Sequence, residues 1–273
     1  MTFNLKLSLN LLAAGFSLTY LAAPAQAACV SGDCSALGYN KSESACSGDI
    51  IRCPFDTSKV FCKENKIEIG DILYSDMTTS HSFNIISGKT PIGVVFDTEK
   101  RKALALSEFG NLAWSTTHFD IPSLPDIGYM SDPSIDSDGK SNTKKIIDYC
   151  RGNSKSCPAA EKAYSYSTTG TKAGQWYLPA AGEMDIIANN SGKLNDTIFL
   201  LRGSQLFTAP SDGYYTVYWT SSESYHSQSG NTIYGSSVCT NSRSKKANNA
   251  ESKTRTGYTI GGFPMTVRPV ITF

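Results

Sequence analysis

The chain of 273 residues carries 25 Lys and Arg against 24 Asp and Glu, with 11% aromatic and 18% charged residues, 22 glycines and eight cysteines. Charges so evenly balanced give no long-range field with which to gather nucleic acid or an anionic membrane, which excludes both as default partners. Glycines, aromatics and cysteines beside so few charges suit a loop-rich extracellular fold better than a cytosolic enzyme.

Residues 1–27 hold a single charge, Lys6, then an apolar run over 7–23 and the small-residue site Ala25-Gln26-Ala27. This is the pattern of a cleaved secretory signal, leaving residues 28–273 with no transmembrane segment and a secreted or cell-surface location, in the periplasm or on the outer surface of a bacterium. Export makes disulfides the expected use of the cysteines. Cys29, Cys34, Cys46, Cys53 and Cys62 crowd into a module over 28–66 with too little apolar content for its own core, so disulfides must hold it. Cys150 and Cys157 form a close pair, and Cys239 stands alone. If all eight pair, one cysteine of the cluster reaches Cys239; if Cys29, which follows Ala27-Ala28, is lipidated instead, Cys239 is a free thiol. Zinc is disfavoured, because no Cys-x-x-Cys occurs and His81, His118 and His226 are scattered.

From residue 67 the pattern turns to strands. Ile67-Glu68-Ile69 and Ile72-Leu73-Tyr74 bracket Gly70-Asp71, and 91–96 and 102–106 flank a polar connection as a hairpin. Ser141 or Asn142 is placed to cap a helix running to Cys150 with Ile146, Ile147 and Cys150 on one face. Pro158 opens a second helix ending near Tyr164. A third starts at Pro179 with Met184 and Ile187 inward, and a short fourth after Asn195 carries Ile198 and Leu201. Beyond Tyr214 the chain reads as strand and loop: 214–221, 232–240, 258–260 and 265–273.

Three ordered motifs stand out: Gly174-Gln175-Trp176-Tyr177-Leu178-Pro179 with Glu183-Met184 behind it, Tyr218-Trp219-Thr220-Ser221-Ser222-Glu223, and Val267-Arg268-Pro269-Val270. Together they resemble the Lcl C-terminal-domain family, named for a bacterial collagen-like adhesin and distantly related in fold to C-type lectins and the formylglycine-generating enzyme. The resemblance covers roughly 67–273. It implies an α+β, C-type-lectin-like fold, with a few helices packed on a twisted antiparallel sheet and long loops, and with the last strand central and closing against the first. It also implies a Ser or Thr helix cap after Leu178-Pro179, where this chain has Ala180 and Ala181, a loss of about 1 kcal/mol unless Glu183 or a neighbour compensates. Trp176, Leu178, Pro179, Glu183, Trp219 and Arg268 read as structural, with Arg268 expected to pair with a buried carboxylate such as Glu183 or Glu223.

Two stretches read as candidate sites. Asp132, Asp136, Asp138 and Asn142, around Gly139, have the oxygen-rich composition of a calcium loop, although the spacing departs from an EF-hand and a turn with a helix cap explains the same residues. Over 225–255, Tyr225, His226, Tyr234, Arg243, Lys245, Lys246, Lys253 and Arg255 face one acid, Glu251, among many Ser and Asn residues. That composition suits recognition of acidic glycans or a protein partner, on a host or another cell, and is too polar for core. No nucleophile elbow, metalloprotease helix or phosphate loop appears, and the cysteine pair of the formylglycine-generating relatives is missing, so no catalytic residue is assigned. The expectation is an exported adhesion or ligand-binding module with no required cofactor. The alternative is a structural subunit of a surface fibre or envelope complex.

Overall fold

The computed structural model describes residues 49–53, 56–63, 66–81, 86–128, 132–207, 217–226, 232–239, 249–254 and 265–273. Residues 1–27, Cys29, Cys34 and Cys46, and the expected strand at 258–260 lie outside them. The chain divides into two units, Met1–Asn65 and Lys66–Phe273. In the first, β1 (Asp49–Arg52) pairs antiparallel with β2 (Val60–Lys63), with Ile50 opposite Cys62. Cys53 beside them is buried and disulfide-bonded.

The second unit is an α+β fold. Its strands are β3 (Ile72–Tyr74), β4 (Thr79–Ser80), β5 (Pro91–Asp97), β6 (Lys102–Ala105), β7 (Asp126–Gly128), β8 (Trp176–Tyr177), β9 (Val217–His226), β10 (Thr232–Cys239), β11 (Asn249–Ser252), β12 (Met265–Thr266) and β13 (Val270–Thr272). Its helices are α1 (Gly139–Gly152), α2 (Pro158–Ser165), α3 (Ala181–Asn189) and α4 (Ser191–Leu200). One sheet has six strands in the order β4-β3-β5-β6-β13-β8; the other runs β11-β10-β9-β12, with β7 alongside β9.

Strand alternation explains how the six-stranded sheet is covered on both faces. Val270 lies opposite Leu104 and Tyr177, and these three join α3 and α4 in one core with Val94, Phe96, Met184, Ile187 and Ile198. Ile271 lies opposite Ala103 and Trp176, and these pack on the other face with Leu73 and Ile92. Successive side chains point to opposite faces, so a one-residue slip would exchange the two sets. A third core joins α1 and α2 to β9 and β12 through Ile146, Ile147, Ala159, Ala163, Val217, Trp219 and Met265. Cys150 and Cys157 are disulfide-bonded, with Cα atoms 6.3 Å apart, and tie the end of α1 to the start of α2.

Several expectations are corrected. Residues 67–69 do not form a strand: Asp71 draws in the Glu68 N–H at 2.9 Å and Gly70 takes φ +94°, so the segment closes as a turn. α1 starts at Gly139 because Asp138, not Ser141 or Asn142, is its cap, accepting from the Ser141 N–H at 3.1 Å. α4 begins at Ser191, ahead of Asn195. The last strand is interior to its sheet as expected, but it pairs with β6 and β8, not with the first strand.

Candidate functional site

The motif residues converge in the interior. The hydroxyl cap missing at Ala180 and Ala181 is replaced twice. Glu183 Oε2 accepts from the Ala180 N–H at 2.8 Å, and Ser222 Oγ, reaching across from β9, accepts from the Ala181 N–H at 2.9 Å. Since alanine has no side-chain oxygen, only the reciprocal half of a capping box exists here. Glu183 Oε2 also accepts from the Gly139 N–H at 3.2 Å, while Oε1 takes the Lys102 ammonium and the Tyr177 hydroxyl, the latter at 3.1 Å. A Cβ on Gly139 would sit 2.3 Å from Glu183 Oε2 and 2.6 Å from the Ala180 nitrogen, so only glycine allows this approach. Burial pushes the Glu183 carboxyl up, against the pull of Lys102.

Trp176 and Trp219 are fully buried, as expected. Trp219 Nε1 donates to the Leu112 carbonyl at 2.7 Å, and Trp114 Nε1 donates to the Thr220 carbonyl at 2.9 Å, so two indoles latch one segment to β9 from both sides. Arg268 is buried, but its partner is neither Glu183 nor Glu223. Its Nη2 reaches Glu108 Oε2 at 2.6 Å and the Ser204 carbonyl at 2.5 Å, and Nη1 reaches the Ala105 carbonyl at 2.9 Å. The Tyr218 hydroxyl donates to the same Glu108 oxygen at 2.6 Å.

Glu223 instead pairs with Lys253, and both are fully buried. This overturns the reading of Lys253 as a ligand-contacting loop residue. Its ammonium also donates to the Phe119 carbonyl at 2.6 Å and lies 4.4 Å from the centre of the Trp114 ring, an enclosure that rewards a long cationic side chain turned inward. Glu223 Oε2 accepts from the Ile121 N–H at 3.2 Å. Burial pushes the Glu223 carboxyl up to about 7 despite Lys253, and burial pushes Lys253 down despite Glu223. Asp120 and Asp126, both exposed, bring oxygens within 4.8 Å of a Glu223 oxygen. Burial, then the Asp120 charge, raises Asp126. The Lys253 ammonium is bonded to Glu223 in this trio and also feels the charges of Asp120 and Asp126.

The run around Gly139 is spent on turns and caps. Asp132 caps a 3-10 turn at Pro133–Ile135 through the Ser134 N–H at 2.9 Å, and Asp138 caps α1. Asp136 is buried, and its Oδ2 accepts from Asn142 Nδ2 and from Ser222 Oγ, each at 2.6 Å. Among the described residues, Asp132, Asp136 and Asp138 do not gather their oxygens about one point as an ion would need.

Three of the remaining members of the expected ligand set, Tyr225, His226 and Tyr234, fall on the β9–β10–β11 ladder. Tyr225 and His226 end β9, opposite Ile233 and Thr232; Tyr234 lies in β10 between Ser224 and Ser252. Arg243, Lys245, Lys246 and Arg255 lie outside the described residues. Arg243, Lys245 and Lys246 follow the end of β10 at Cys239 in the sequence, and Arg255 follows the end of β11 at Ser252. Among the described residues of 225–255, all but Lys253 and Thr254 lie in strands, so the part of the stretch that the structure describes is a ladder and not one polar loop.

No protein-family model and no curated protein matches this chain. Among solved structures, it is similar to a fimbrial protein from Bacteroides ovatus ATCC 8483, with 16% sequence identity and a TM-score of 0.48 over 76% of this chain and 49% of that one. The chain thus spans about half the length of that protein. Among the described residues, no helix is long and apolar enough to cross a membrane.

Proposed function

We propose that this chain is an exported, non-enzymatic surface protein that acts as a subunit of a surface fibre or envelope complex, carrying a lectin-like unit of the Lcl C-terminal type. One observation carries the assembly reading: among the described residues β11 has β10 as its only strand partner. At four residues it is the longest of the described edge strands of the Lys66–Phe273 unit, and Asn249-Ala250-Glu251-Ser252 contains neither proline nor lysine to blunt it, with Glu251 its one charge. Its outward N–H and C=O groups form a template for an added strand from a second subunit. The disulfide between Cys150 and Cys157 fits an oxidising compartment, and the signal-like residues 1–27 fit export. The buried Glu183, Glu223, Lys102, Lys253 and Arg268 are engaged in ion pairs that brace the scaffold, which fits an inert framework.

The test is sedimentation velocity of the oxidised 28–273 chain across a range of concentrations, beside the single variants Ala250→Pro and Glu251→Pro. Alternate N–H groups of an edge strand point outward, so one of these variants removes an outward donor with the fold intact. Loss of assembly in that variant is expected; a wild-type chain that stays monomeric at every concentration overturns the reading. Adhesion is the second reading, favoured by Arg243, Lys245, Lys246 and Arg255 in the segments that follow β10 and β11 in the sequence. It predicts that Lys245→Gln with Lys246→Gln abolishes binding to sulfated glycans.

A further inference from the structure

An open groove of about 370 Å³ runs along α2, and none of the residues that line it belongs to β9, β10 or β11. Pro158, Glu161 and Lys162 line it from α2 at helical spacing, Arg151 and Tyr164 flank it, and Leu112 contributes apolar surface. The volume sits at the small end of the roughly 300–1,000 Å³ typical of small-molecule sites.

Its chemistry is specific. The Arg151 guanidinium lies 5.8 Å from the centre of the Tyr164 ring, and the Lys162 ammonium lies 4.2 Å from that of Phe109, so aromatic faces hold both cations in place. One carboxylate, Glu161, lines the groove with them, and its Oε1 already accepts from the Cys157 N–H at 3.1 Å. Two cations against one committed carboxylate leave an excess of positive charge beside the apolar surface of Leu112 and Pro158. The Cys150–Cys157 disulfide ties the helix ends from which Arg151 and Pro158 follow, so the ligand need not order them.

From this geometry we propose that the α1–α2 groove binds a saccharide bearing a carboxylate. The acid group bridges Arg151 and Lys162, the C–H face of the ring lies on Leu112 and Pro158, and the second oxygen of Glu161 accepts a ring hydroxyl. This site stands apart from the assembly reading, and neither depends on the other.

The experiment is amide chemical-shift mapping of the ¹⁵N-labelled 28–273 chain titrated with a hyaluronan tetrasaccharide, a neutral chitin tetrasaccharide and inorganic phosphate. The expected result is saturable shifts at Arg151, Lys162 and Tyr164 with the hyaluronan fragment alone. Arg151→Gln and Lys162→Gln should each weaken it roughly tenfold, the worth of one charge-assisted hydrogen bond. Both positions are exposed, so folding is retained. Lys100→Gln, at an exposed lysine in the β5–β6 connection, should leave the titration unchanged. No shift at the groove, equal shifts with the neutral oligosaccharide, equal competition by phosphate, or unchanged affinity in both variants overturns the proposal.

Discussion

Glu183→Gln is the perturbation with the most legible consequence. Glu183 is buried, and its two oxygens serve four donors: the N–H groups of Ala180 and Gly139 on one, the Lys102 ammonium and the Tyr177 hydroxyl on the other. Glutamine keeps one acceptor, so its NH₂ must face one of these donor pairs, and Lys102 is left buried without a counter-charge. Removing one member of a buried ion pair costs about 3–5 kcal/mol. For a unit of this size that lowers Tm by roughly 6–20 °C, with urea melts shifted to match. The double variant Lys102→Met, Glu183→Leu removes the unpaired charge but leaves the Gly139 and Ala180 N–H groups bare, at about 1 kcal/mol each. It should therefore recover a clear part of the loss. Circular dichroism melts of the three proteins decide the matter. A loss below about 1 kcal/mol for Glu183→Gln, or a double variant no more stable than the single one, would refute this account of the centre.

The Glu223 carboxyl, raised to about 7 by burial, makes stability depend on pH in a defined sense. Between its ordinary value near 4.5 and 7 the folded chain holds more protons than the unfolded one, so this group's stabilisation is complete below about 4.5 and is lost as pH rises through 7. The loss is on the order of 2–3 kcal/mol, and Glu223→Gln should flatten the slope in urea melts taken between pH 5 and 8. Replacing Cys150 and Cys157 together by alanine opens the loop between α1 and α2 and should cost about 2–3 kcal/mol in melts compared with the oxidised chain.

Much of the fold was legible because its period is local. The β5–β6 hairpin, the α1 face of Ile146, Ile147 and Cys150, and the Met184–Ile187 pair of α3 follow from alternation, helical spacing and Pro158 at a first turn. The partners of the buried charges were not legible, because they are set by tertiary contacts far apart in the chain. Nothing near Arg268 points to Glu108, and Lys102 looks like an ordinary edge-strand lysine until β6 is seen buried between β5 and β13. One signal was present and unused: Lys102 in Lys102-Ala103-Leu104-Ala105 is a charge within an otherwise apolar strand. Lys253 was misread for the opposite reason. Its polar neighbours describe the β11 edge, while its own side chain turns inward to Glu223, Trp114 and Phe119. The Asp132–Asn142 run shows why oxygen-rich composition is ambiguous, since helix caps and calcium loops call for the same residues. The strands read at 214–221 and 232–240 correspond to β9 and β10, whereas β11 was hidden by its Asn and Ser content, which reads as loop wherever pairing is not visible.

Assembly through β11 is tested most directly by amide hydrogen exchange over residues 249–252 in the oxidised 28–273 chain, measured dilute and at high concentration. Assembly through this edge predicts alternate amides that exchange quickly when dilute and become protected as concentration rises, with the remaining amides unchanged. Exchange over 249–252 that is independent of concentration, in a preparation shown to assemble, would contradict it.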